Sequence, residues 1–212
     1  MKRSFAFLAV ISLVLGMASA QEKSVSLGVS VADGRLQSFY LAIGDYYRVP
    51  EPQVVAIRDR YRLPDEELPV VYFMAARARV EPSVILGFRT RGMSWLDITF
   101  HYGLTPEIFY VPVVVEKVGP PYGKAYGYYR KYGPTKQWKK VKLSDHEVVD
   151  LVNLRFIADH YRVAPEAVME MRGRGENFII INEKETKAKS HQKGQQGKDK
   201  KDQGGKDKGK HK

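Results

Sequence analysis

The chain contains no cysteine. That excludes disulfides, thiolate zinc sites, a catalytic thiol and lipid attachment at a cysteine behind a leader, so packing alone must hold the fold. Long apolar runs are scarce as well. Beyond residues 5–15 no stretch approaches the roughly 20 apolar residues that a membrane helix needs. The sequence also lacks G-x-S-x-G, a P-loop and G-x-G-x-x-G. With these signatures missing, a non-enzymatic protein is expected, with no cofactor and no metal. A fourth absence is local: residues 117–142 hold no acid at all.

That last absence explains the net charge. The 212 residues carry a formal charge of +11, distributed unevenly. Residues 1–20 contribute +2, and residues 21–116 contribute −2 from ten basic and twelve acidic side chains. Residues 117–142 contribute +8, residues 143–182 contribute −3 and residues 183–212 contribute +6. The apolar parts are therefore slightly acidic, which disfavours a domain that is basic all over. The basic character belongs to one internal stretch and one tail.

At the N-terminus Lys2 and Arg3 precede the apolar run, and Ala18-Ser19-Ala20 places small residues before Gln21. This is the pattern of a cleaved signal peptide over residues 1–20. An exported protein of the periplasm or the extracellular space is expected.

Within residues 21–182 the clearest signal is an internal repeat. Four windows share one column pattern at identical spacing. They are Tyr40, Ile43, Gly44, Tyr47, Val49; Val71, Met74, Ala75, Ala78, Val80; Trp95, Ile98, Thr99, Tyr102, Leu104; and Leu154, Ile157, Ala158, Tyr161, Val163. The first four columns fall at i, i+3, i+4 and i+7, one face of a helix. The third column is always small, which permits close approach of another segment. After the fifth column comes a proline beside a glutamate: Pro50-Glu51, Glu81-Pro82, Pro106-Glu107 and Pro165-Glu166. Proline in a first turn and an acid near a helix N-terminus start a second helix. The expected fold is mainly α: repeated helix-turn-helix units near 39–60, 70–92, 95–110 and 151–175, packed into one domain.

Three units also close on arginine pairs at one offset: Arg58 and Arg60, Arg89 and Arg91, Arg172 and Arg174. Cations that neutralise a helix C-terminus are the simpler account, and a repeated anion site is the sharper one. Short strands are expected at 25–31, at 108–118 (an edge strand or extended arm carrying Pro112) and at 178–181. Ser144-Asp145-His146-Glu147 has the S-x-x-E spacing of a capping box. From 183 to 212, lysine, glycine and glutamine alternate with almost no apolar residue, and a disordered tail is expected.

The stretch Trp95-Leu96-Asp97-Ile98-Thr99-Phe100-His101-Tyr102-Gly103-Leu104-Thr105-Pro106-Glu107-Ile108 resembles the core of a DNA-binding helix-turn-helix. Its second helix would present Glu107, Ile108, Phe109 and Tyr110, a surface unsuited to phosphate, which argues against sequence-specific DNA binding. Trp95, Ile98, Tyr102, Gly103 and Leu104, echoed by Ile157, Ala158, Tyr161 and Val163, also resemble the helical half of a LysM domain. That resemblance implies binding of cell-wall glycan. As a whole the chain resembles exported bacterial proteins built of such helical units, and this implies no activity.

In the acid-free stretch, aromatics interleave with cations. Tyr126, Tyr128, Tyr129, Arg130, Lys131, Lys136, Trp138, Lys139 and Lys140 are the candidate anion- or glycan-binding residues. Rings that stack and cations that neutralise suit an anionic glycan or single-stranded nucleic acid. His146-Glu147-Val148-Val149-Asp150 comes nearest to a zinc-protease motif, but it reads better as a helix N-terminus, with Glu147 capping and no third ligand spaced to follow. The reading is an envelope-associated structural or binding protein whose partner is anionic. A LysM-like glycan binder and a nucleic-acid binder are the alternatives.

Overall fold

The structure, a computed structural model, describes residues 34–113 and 135–203, with the side chains of 135–137 and 192–203 excepted. It is mainly helical, packed as one domain, and no strand occurs among the described residues. Eight α-helices are described: α1 (Gly34–Tyr47), α2 (Glu51–Tyr61), α3 (Leu68–Ala78), α4 (Pro82–Arg89), α5 (Trp95–His101), α6 (Asp145–Tyr161), α7 (Pro165–Gly173) and α8 (Phe178–Gln203). Short 3₁₀ turns lie at Asp65–Glu67, Pro106–Phe109 and Thr135–Lys140.

The four windows form turns of one local geometry. The fifth-column N–H donates to the third-column carbonyl five residues back: Val49 to Gly44 (2.9 Å), Val80 to Ala75 (3.0 Å), Leu104 to Thr99 (3.0 Å) and Val163 to Ala158 (3.1 Å). The residue before each fifth column is left-handed: Arg48, Arg79 and Arg162 at φ of 59, 57 and 59°, and Gly103 at 65°. This is the Schellman closure, which satisfies carbonyls that a helix end leaves free. The small third column follows from it, because the returning chain passes directly over that residue. At Gly44 the approach is tightest: a Cβ would lie 2.7 Å from the Val49 carbonyl oxygen. In the windows that open with α1, α3 and α6, a second α-helix follows the turn. In the window that opens with α5 only the 3₁₀ turn Pro106–Phe109 follows.

Two helices make the centre. In α3, residues 68–75 are all buried, and in α6 ten residues are buried, from Glu147 to Ala158. Such helices, apolar around most of their circumference, must be covered on several sides. Accordingly α6 packs against α1, α3, α5, α7 and α8, while α1 lies between α2 and α8. Phe39 of α1 meets Phe156 of α6 edge to face at 5.9 Å. Both α5 and α6 begin with a reciprocal capping box, Ser94 with Asp97 and Ser144 with Glu147, so the expected box at Ser144 is present.

Two local expectations are corrected. Residues 178–181 are the first turn of α8, not a strand. Phe178 and Ile181 are buried, Asn177 Oδ1 accepts from the Ile180 N–H at 2.9 Å, and Glu66 accepts from the Phe178 N–H at 2.7 Å. A capped N-terminus and a face spaced i, i+3 outweigh the β-branched run. Helix α8 then continues past residue 183 to Gln203, and the rest of the expected tail lies outside the described residues. Residues 108–118 are likewise no strand over the part described. They begin in the 3₁₀ turn and run on irregularly through 110–113, held by Arg155, whose Nη2 donates to the carbonyls of Ile108 and Tyr110. The remaining expected strand, 25–31, and the signal segment lie outside the described residues.

Candidate functional site

The 3₁₀ turn Thr135–Lys140 carries the described end of the basic stretch and packs on Pro106–Phe109. Trp138 is 0% exposed, its ring edge-on to Tyr110 with centroids 5.1 Å apart. This corrects the expectation that Trp138 offers a stacking face: the indole anchors the end of the stretch in the core. Lys139 and Lys140 point outward. The Lys139 side chain is 60% exposed, with Nζ 3.9 Å from Glu107 Oε2. Lys136 belongs to the same turn by its backbone, while Tyr126, Tyr128, Tyr129, Arg130 and Lys131 lie outside the described residues.

The leading arginine of each repeated pair is held by the protein's own carboxylates. Arg58 Nε donates to Asp65 Oδ1 at 3.1 Å, and Asp65 also accepts from the Tyr40 hydroxyl. Arg89 pairs with Asp145 (2.7 Å) and Glu67 (3.2 Å), donates to the Met93 carbonyl and lies 4.3 Å from the Trp95 ring. Arg172 pairs with Asp150 (2.8 Å), donates to the Glu176 carbonyl and lies 4.7 Å from the Phe178 ring. Arg89 and Arg172 thus make the same three contacts, a carbonyl four residues on, a ring six residues on and a carboxylate of α6, and each ties its helix to α6. These arginines are fastenings for neighbouring helices rather than a free anion site. They do stand in the last turns of α2, α4 and α7, but their partners are carboxylates of neighbouring segments, which neither expected account named.

Two other candidate constellations are absorbed by structure. His146 is 75% exposed with Nε2 3.4 Å from Asp150 Oδ2, while Asp150 serves Arg172 and Glu147 closes the capping box. No group of three metal-capable side chains occurs among the described residues. After the α5 turn, the single 3₁₀ turn with Phe109 buried gives no helix long enough to enter a DNA groove. No described helix is long and apolar enough to cross a membrane.

One constellation was not legible in the sequence. A groove of about 300 Å³ runs between α1, the end of α6 and α8, lined by Ser38, Asp45, His160, Tyr161, Thr186 and Lys189 among others. Its floor is a closed set of hydrogen bonds. The Tyr161 hydroxyl lies 2.8 Å from both Asn182 Oδ1 and Thr186 Oγ1, and Ser38 Oγ lies 3.2 Å from both Thr186 Oγ1 and Asn182 Nδ2. Asn182 is fully buried. At the α6 side of the groove, His160 packs among Tyr46, Phe156 and Tyr161, with ring centroids at 6.4, 5.9 and 4.5 Å. Burial holds its imidazole below the usual histidine range, and the Lys189 ammonium adds to this while Asp45 opposes it. Of these six only Tyr161 belongs to the repeated columns; His160 adjoins it, the others come from two distant segments, α1 and α8, and no spacing marks them.

No family model matches the chain, and no curated protein or solved structure matches it.

Proposed function

We propose that the protein is a non-enzymatic structural or binding protein of the bacterial cell envelope, exported by residues 1–20, which engages an anionic partner through the stretch 117–142 and the lysine-rich C-terminal segment. The observation that carries this reading is the segregation of charge. Eight cations with no acid occupy 117–142, whereas the leading arginines of the helical body are neutralised within it. An internally paired cation offers little to an outside anion, so attraction concentrates where carboxylates are missing. Lys139 and Lys140, outward-facing on a turn pinned by Trp138, give that stretch a fixed root.

The test is retention on an immobilised anionic polymer across a salt gradient, comparing the full chain with a triple variant, Lys136→Gln, Lys139→Gln and Lys140→Gln. Elution at distinctly lower salt is expected for the variant, and an unchanged elution position would overturn the role of this stretch. A parallel pulldown on peptidoglycan distinguishes the glycan reading. Groove binding survives about 0.5 M salt, whereas charge-driven binding fades as the screening length shortens to a few ångströms.

A further inference from the structure

Beyond Ile181 no large apolar side chain secures α8. From Asn182 to Lys189 the helix is held to α1 and α6 by polar contacts: the Ser38, Tyr161, Asn182 and Thr186 set, the Arg35–Glu183 pair at 2.9 Å, and Lys189 Nζ 5.5 Å from the centre of the Tyr161 ring. Contacts of this kind are individually weak in net terms, so such a segment opens at low cost compared with the core. His160 lines the same groove as Thr186, Lys189 and Ser190 of this segment, its side chain 11% exposed. We propose that this segment is an acid-released clasp: when His160 takes up a proton, residues 183–191 of α8 detach from α1 and α6 and free the basic tail beyond them.

The charges around the imidazole support the direction. From α1, the Asp45 carboxylate faces Nδ1 at 3.8 Å, but Asp45 is 80% exposed and water screens its attraction. Tyr46, also of α1, gives its hydroxyl to Asp159 and turns only its ring towards His160. From α6 itself come the rings of Phe156 and Tyr161, which offer no charge. From α8 comes Lys189, whose ammonium repels an imidazolium. A proton on His160 is therefore disfavoured while α8 is docked, and undocking removes the Lys189 charge from the groove that both residues line.

The sign follows from linkage. A histidine whose docked value is depressed contributes stability that is fully present above its free value, near 6.5. That stability is lost as pH falls through the window below. The two acids of this segment do not act in the same way there. Burial raises the carboxyl of Glu185, so its protonation favours the docked form. Glu183 is held below the usual carboxylate range by Lys187 and Arg35, so its contribution disappears only in more acidic solution. Loosening between about pH 6.5 and 5 therefore belongs to His160.

The clasp rests on the proposed function only for its purpose, since release can be read without any partner. Amide hydrogen exchange of residues 183–190 in the full chain, corrected for intrinsic chemical exchange, is followed from pH 7.5 to pH 5.2, with amides of α3 as the internal reference. Protection in the segment is expected to fall roughly three- to tenfold while α3 stays constant, and to stay flat in His160→Gln. Lys189→Gln, which lies at the surface, is expected to reduce the fall. It serves as the test if His160→Gln proves unstable. Identical profiles in the wild type and the variants would overturn the clasp. Retention on the anionic polymer at pH 7.5 and pH 5.2 separates the two readings. Release without any binding at either pH would sink the proposed function and leave the clasp standing.

Discussion

Arg48, Arg79 and Arg162 hold left-handed backbone at the turns that follow α1, α3 and α6, where a residue with a Cβ is disfavoured by about 1 kcal/mol. Their role is set by the backbone rather than by the guanidinium, because the stabilising bond at each turn is the N–H of the next residue reaching five positions back. Replacing each by glycine is therefore expected to raise stability by roughly 0.5 kcal/mol, after the extra flexibility of the unfolded chain is deducted. Thermal unfolding of the triple variant checks this, and a lower midpoint would show that the side chains matter. Gly44→Ala has the opposite expectation. Its Cβ would meet a backbone oxygen that cannot move without breaking the turn, so a loss of about 1–3 kcal/mol is expected.

At the scale of elements, ties from several segments converge on α6. Its first turn carries Asp145, which accepts from the Trp95 N–H at 2.7 Å and pairs with Arg89. One turn further, Asp150 pairs with Arg172, and Asn153 donates to the Glu66 carbonyl at 2.7 Å. The start of α6 therefore fixes α4, α5, α7 and the Asp65–Glu67 turn together. Ser144 positions that start, donating to Glu147 and accepting from its N–H. Ser144→Ala is expected to cost about 1 kcal/mol by denaturant titration, with Ser144→Gly costing less. An effect within error would mean that the ion pairs alone hold the helix end.

For the molecule as a whole, the tyrosines connect packing to pH. Burial pushes Tyr46 and Tyr72 up to about 12, and Asp159 adds to the shift at Tyr46. Burial likewise raises Tyr40, Tyr47 and Tyr161. Groups whose folded values are raised stabilise the fold below their free value, near 10, and withdraw that stability as pH climbs through the folded values. Cooperative alkaline unfolding is therefore expected to set in between about pH 10 and 12, with tyrosinate absorbance and loss of helical circular dichroism rising together. Tyrosinate appearing well before the helices melt would contradict this packing. At neutral pH the same cluster rigidifies the junction of α1, α3 and α6, through the Tyr47–Tyr72 stack at 5.6 Å and the Phe39–Phe156 contact.

The sequence by itself determined the features that depend on neighbours in the chain. The i, i+3, i+4, i+7 columns produced the leading helices of all four windows, because a helix face is a local periodicity. The small third column and the proline-glutamate starts produced the turns, because a Schellman closure spans only six residues. The Ser144 box was readable for the same reason. Where local signals were ambiguous the tertiary structure decided. Residues 178–181 are short, apolar and β-branched, which suits strand or helix equally. The choice fell to helix through Asn177, Glu66 and burial beside α6. Trp138, read as a stacking surface from its lysine neighbours, is drawn into the core by Tyr110, a residue whose proximity no spacing announces. Arg89 and Arg172 became internal fastenings because Asp145 and Asp150 stand opposite them on α6, 56 and 22 residues away. The His160 groove needed α1, α6 and α8 assembled before its members met. Charge location was legible from composition alone. Which charges remain free for a partner was decided by the fold, since only three-dimensional pairing separates a neutralised cation from an available one.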